Sequence, residues 1–165
     1  FGFLPTLYAE EGVSTARAGL LTALGAGINV VGNFGAGLLL QRGWSRHGLL
    51  IFAALTMLVG AWLLFGSGAP FGVRFAAVLA FSAAGGLIPG TLFASTPAFA
   101  PNASTVSTTA GLMQQGSALG QFVTPPIIAL VVSSAGSWSV TWMVTGAMAV
   151  ANVLLALLIR RVARA

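Results

Sequence analysis

Five apolar stretches, each long enough to cross a lipid bilayer, dominate this sequence. A membrane-spanning helix needs roughly 20 mostly apolar residues, and short loops with no room for a soluble domain separate the five. The sequence therefore predicts an all-α integral membrane protein. The five predicted spans cover residues 18–40, 48–66, 73–96, 108–133 and 138–159. Residues 1–8 are typical of the end of a truncated sixth helix, so we expect 1–165 to be one transmembrane bundle from a longer protein.

Composition supports the membrane class. Of the 165 residues, 57% are hydrophobic and 5% are charged, whereas about a quarter of a soluble domain is charged. A net charge of +5 would suggest nucleic acid in a soluble protein, but no basic cluster here is interleaved with exposed aromatic residues. The lipid bilayer is the expected partner, and nucleic acid is not.

The arginines predict the orientation of the bundle. When the loops alternate across the bilayer, the two acidic residues lie on one side together with Arg17 and Arg74. Cationic loops stay in the cytoplasm, so we expect the opposite, arginine-rich side and the C-terminus to be cytoplasmic. That side carries Arg42, Arg46, Arg160, Arg161 and Arg164.

The span 18–40 separates into a polar, glycine-rich face and an aliphatic face when residues are placed about 100° apart. Asn29 and Asn33 lie on the polar face, together with Gly25 and Gly32. An amide that faces lipid costs several kcal/mol, so this face must meet protein or a water-filled cavity. The sequence leaves open whether the two asparagines bridge to a neighbouring helix or line a solute pathway.

The span 108–133 carries a second polar row, and four polar residues exceed what one interhelical contact needs. The row consists of Gln114, Ser117, Gln121 and Thr124. Here the pattern favours a solute pathway over packing, while Gln115 lies off the row. Pro125 and Pro126 then follow, and prolines inside a helix predict a kink.

The span 73–96 combines close-packing glycines with a proline. Gly86 and Gly90 have the small-xxx-small spacing of closely packed membrane helices, and Gly85 and Pro89 lie beside them. This helix is expected to bend, either as a gate hinge or as a static kink.

No acidic residue, lysine or histidine lies inside a span. Intramembrane ionisable groups mark coupling sites, and an enzyme needs a base, a nucleophile partner or metal ligands. We therefore expect no enzyme activity, no metal site and no cofactor.

The chain resembles the carboxyl-terminal half, helices 7–12, of the major facilitator superfamily. The run GLLLQRGWSR from Gly37 to Arg46 is similar to the family's loop motif between helices 8 and 9, with Gly37, Arg42 and Arg46 matching and Gln41 replacing its aspartate. The run GLMQQGSALGQFVTPP from Gly111 to Pro126 is similar to helix 11 of cyanate and nitroimidazole permeases.

This resemblance implies a multi-pass transporter of the bacterial inner membrane. Such a protein moves a small polar or anionic solute by alternating access, between this half and a missing N-terminal six-helix half. The alternative from the residues is an intact small protein that oligomerises as a channel or as a structural membrane subunit.

Overall fold

The structure, a computed structural model, describes residues 4–162, with side chains as far as Leu158. It is 88% helical and contains no strand in this part of the chain. The α-helices are α1 Leu4–Glu10, α2 Thr15–Gln41, α3 Arg46–Phe65, α4 Phe71–Ala94, α5 Thr96–Phe99, α6 Val106–Ala135 and α7 Thr141–Val162. Two short 3₁₀ turns, Ala103–Thr105 and Trp138–Val140, precede α6 and α7.

Five of these helices, α2, α3, α4, α6 and α7, are long and apolar enough to cross a membrane. This confirms the five predicted spans and the multi-pass class. The observed helix bounds differ from the predicted ones by only a few residues, because capping interactions rather than hydropathy determine where a helix ends. The predicted loop 97–107 instead contains α5 and a 3₁₀ turn that Asn102 caps. Of the predicted truncated helix, Phe1 to Phe3 lie outside the described residues, and the remainder continues to Glu10 as α1.

Helix α4 occupies the centre of the bundle. It packs extensively against α2 on one side and α3 on the other, and α3 in turn packs against α7. One face of α3 points outward through Phe52, Leu55 and Val59. Its other face buries alanines and glycine between α4 and α7.

Side-chain contacts connect neighbouring loops and helix ends at both ends of the bundle. At one end, Arg74 forms an ion pair with Glu11, and Trp138 Nε1 donates to Glu10 Oε1 at 3.2 Å. Glu11 and Glu10 thus connect the end of α1 to α4 and to the α6–α7 connection. At the other end, the Arg46 guanidinium lies 5.8 Å from the centre of the Phe99 ring.

Candidate solute pathway and the α2–α4 contact

Helices α2 and α4 approach each other so closely that backbone touches backbone. A Cβ atom added to Gly32 would lie 1.9 Å from the Ala83 carbonyl oxygen, and one added to Gly86 would lie 2.1 Å from the Asn29 carbonyl oxygen. At Gly90 the corresponding distance to the Asn33 carbonyl oxygen is 2.6 Å. Small residues allow this proximity in membrane helices, which explains the glycines on both faces.

A short chain of hydrogen bonds follows the same contact. Asn29 Nδ2 donates to the Ser82 carbonyl at 3.0 Å, and Ser82 Oγ donates to the Gly25 carbonyl. Asn33 Nδ2 donates to Asn29 Oδ1 at 3.3 Å within α2. For the polar face of α2, the sequence left open a bridge to a neighbouring helix or a solute pathway. Asn29 forms such a bridge, to α4. Both asparagines remain only half-buried, so each still presents polar surface.

Ser82 is the residue at this contact that the sequence analysis did not single out. Its side chain is fully buried at 0% exposure, and it takes part in two of the three hydrogen bonds described above. The sequence feature that points to Ser82 is its spacing. Ser82, Gly86 and Gly90 recur every four residues and so lie on one face of α4.

Helix α6 stands apart from the rest of the bundle. None of its 30 residues, all of which the structure describes, is buried. Its contacts are few and include α5, α7 and the two 3₁₀ turns at its ends. Within the polar row, Gln121 Nε2 donates to Ser117 Oγ at 3.1 Å, one turn away on the same helix, and Gln114 is exposed.

The polar row nevertheless lies on the bundle side of α6. The half-buried residues Met113, Thr124 and Ile128 fall on the same side as Ser117 and Gln121 when positions are spaced about 100° apart. The opposite side carries the most exposed apolar residues, with Phe122 at 79% and Leu112 and Leu119 at 64%. The row thus lies on the side of α6 that is turned toward the bundle, and among the described residues it makes no hydrogen bond to Asn29 or Asn33.

The remaining predicted positions lie in regular structure. Pro89 lies inside α4 and Pro125 and Pro126 lie inside α6, and both helices run without a break through their prolines. Gly85 and Gly90 are half-buried at the α4 surface. Of the loop motif, Gly37 lies within α2, Arg42 caps its end, and Arg46 begins α3. A hinge or gate role for any of these residues stays a prediction.

A scan against protein families finds no match to the chain, and searches of curated proteins and of solved structures find none either.

Proposed function

We propose that this chain is the C-terminal half of a secondary transporter of the major facilitator type, which moves a small polar or anionic solute by alternating access. The observation that carries the proposal is the polar row of α6, none of whose residues is buried in the described part of the chain. The family resemblance of the loop motif and of the helix-11 run supports it. The missing N-terminal half and the bacterial inner membrane belong to the same proposal.

Three polar side chains of α6 would be costly to expose to lipid. In hydrocarbon, an amide or hydroxyl without hydrogen-bond partners costs about 2–7 kcal/mol. Gln114, Ser117 and Gln121 are all exposed, and the bond from Gln121 to Ser117 uses only some of their donors and acceptors. A membrane helix with such a face is stable only beside protein or water. A second transporter half, with a wet pathway between the halves, provides both. Since the row bears no charge, an anionic solute would need an arginine from the other half.

Replacing Gln121 by alanine in the complete protein is expected to reduce solute uptake by about tenfold, the effect of losing roughly one or two hydrogen bonds to the solute. Membrane insertion should be unchanged, because alanine is apolar and favours helix. Uptake of a panel of radiolabelled polar and anionic solutes into cells or proteoliposomes measures the effect.

The matched control is Gln115→Ala, which removes the same amide from a position off the polar row and should leave uptake near the wild-type rate. If Gln114, Gln121 and Asn33 variants all transport normally, these residues do not line the pathway. If the 165-residue chain alone conducts solute after reconstitution, it is a self-sufficient oligomer rather than half of a transporter.

The proposal also fixes the orientation of the bundle. A cysteine at Ser45, in the arginine-bearing α2–α3 loop, should react with a membrane-impermeant thiol reagent only from the cytoplasmic side. A cysteine at Ser14, in the loop at the opposite end, should react only from outside. Labelling of intact cells and of inverted vesicles distinguishes the two, and the reverse pattern would contradict the predicted orientation.

A further inference from the structure

The turn between α2 and α3, residues 42–45, has a well-defined backbone structure. The Trp44 amide donates to the Leu39 carbonyl at 3.1 Å, and Gly43 adopts the left-handed conformation with φ at 88°, as in the Schellman motif that ends many helices. The Ser45 hydroxyl then caps the first turn of α3. Because both helix ends are capped, the residues that flank the turn are held at fixed positions.

Two exposed arginines lie at this turn and have no carboxylate within reach. Arg42 is its first residue, and Arg46 is the first residue of α3. The two acidic residues of the sequence, Glu10 and Glu11, lie at the opposite end of the bundle. Arg74 provides a comparison, since it lies near the start of α4 and forms an ion pair with Glu11. The positive charge of the α2–α3 turn is therefore not neutralised from within residues 1–165.

Arg46 also occupies an unfavourable position for an unpaired cation. The N-terminal end of a helix carries a partial positive charge, which favours anions over cations. The first turn of α3 nevertheless begins with Arg46 and contains no acidic residue. The guanidinium lies 5.8 Å from the centre of the Phe99 ring, a contact that positions the cation without neutralising it. An anion bound here would be attracted by both arginines and by the end of α3.

Trp44 indicates which anion is within reach. Its side chain is 50% exposed, and tryptophan is enriched at the membrane–water interface, at the level of the lipid headgroups. The turn joins two helices that are long and apolar enough to cross a membrane, so Arg42 and Arg46 lie close to the same level. The anion found at that level is the phosphate of a lipid headgroup.

We propose that the α2–α3 turn binds the headgroup of an anionic phospholipid, with Arg42 and Arg46 bonded to its phosphate oxygens and Trp44 beside its glycerol. The proposal is independent of the transport function. Arginine suits this ligand because its planar guanidinium can donate two parallel hydrogen bonds to a phosphate. A zwitterionic headgroup binds less well, because its own ammonium group offsets the phosphate charge. At about threefold for each exposed ion pair, the two arginines should give a preference of about tenfold.

Trp44 is also the reporter for the test. Of the four tryptophans in the sequence, the other three lie near the opposite end of the bundle, and they are Trp62, Trp138 and Trp142. The full chain is reconstituted into phosphatidylcholine bilayers that contain brominated phosphatidylglycerol or brominated phosphatidylcholine, since bromine quenches a nearby indole. The Trp44 signal is the difference in fluorescence between the wild-type chain and Trp44→Phe. Brominated phosphatidylglycerol should reach half-maximal quenching of this signal at about tenfold lower mole fraction, and the preference should shrink at high salt.

Arginine variants test whether the preference belongs to this turn. Arg46→Gln should lower it about threefold, and the double variant with Arg42→Gln should remove it. The matched control is Arg17→Gln, which removes the same charge from an exposed position in the first turn of α2, at the opposite end of the bundle. This control should leave the preference of Trp44 for phosphatidylglycerol unchanged.

Three results would overturn the proposal. The first is equal quenching of Trp44 by the two brominated lipids. The second is an equal loss of preference in Arg17→Gln and Arg46→Gln, because the preference would then reflect the net charge of the chain rather than the turn. The third is relief of the quenching by soluble glycerol phosphate at matched ionic strength, because the turn would then take a free phosphate rather than a lipid.

Discussion

Replacing Gly86 by alanine will destabilise the helical bundle by about 3 kcal/mol, the upper part of the range for overpacking a filled site. The new methyl group would lie 2.1 Å from the Asn29 carbonyl oxygen and 2.9 Å from the Asn33 amide nitrogen. Both are backbone atoms, so no side chain can rotate away to make room. The helices must separate, and the hydrogen bond from Asn29 to Ser82 is lost with the contact.

The neighbouring Gly85 provides the control. A Cβ atom there meets only Asn29 Nδ2 at 3.6 Å and the Met57 thioether at 3.9 Å, which is ordinary contact. Alanine favours helix over glycine by about 1 kcal/mol at either position, so Gly85→Ala should be neutral or slightly stabilising. Unfolding followed by circular dichroism in increasing SDS measures both variants. Equal stability of the two would show that α2 and α4 do not meet through Gly86.

A cysteine in place of Ser117 will react with a water-soluble thiol reagent roughly a hundredfold faster than one in place of Leu119. Only the thiolate reacts, and an apolar environment raises the thiol pKa by several units. Ser117 belongs to the polar row of α6, whereas Leu119 lies on its aliphatic side, 64% exposed. Residues 1–165 contain no cysteine, so within them each variant carries a single thiol.

The measurement is the modification rate in native membranes that contain the complete protein. Ser107→Cys, at the exposed start of α6, provides the rate for a thiol in free solution. A Ser117 thiol as slow as the Leu119 thiol would show that the polar row lies in a dry contact, and the pathway interpretation of α6 would be wrong.

The sequence predicted the helices and their faces well, because both depend on local properties. Length and hydropathy are enough to identify a spanning helix, and periodicity alone separates the aliphatic side of α2, with Phe34 at 75% exposure, from the side that holds Gly32 and Asn29.

What the sequence did not predict depends on contacts between distant residues. Periodicity gives the direction of the α6 polar row but not its distance from the bundle, and α6 stands apart. The sequence assigned no role to Ser82, because its partner, the Gly25 carbonyl, is a backbone group that any residue type provides. The ion pair of Glu11 with Arg74 joins residues 63 positions apart, and only the arrangement of α1 and α4 brings them together.

The glycine contact between α2 and α4 also limits how these helices can move. Gly86 and Gly90 on α4 sit against Asn29 and Asn33 on α2, with the same spacing of four residues on each helix. A slide by one or two positions would drive side chains into the opposing backbone, whereas a slide by four would bring small residues opposite the backbone again. Four residues correspond to about 6 Å. Any axial displacement of this pair should therefore occur as a single jump between separate positions, with no stable intermediate.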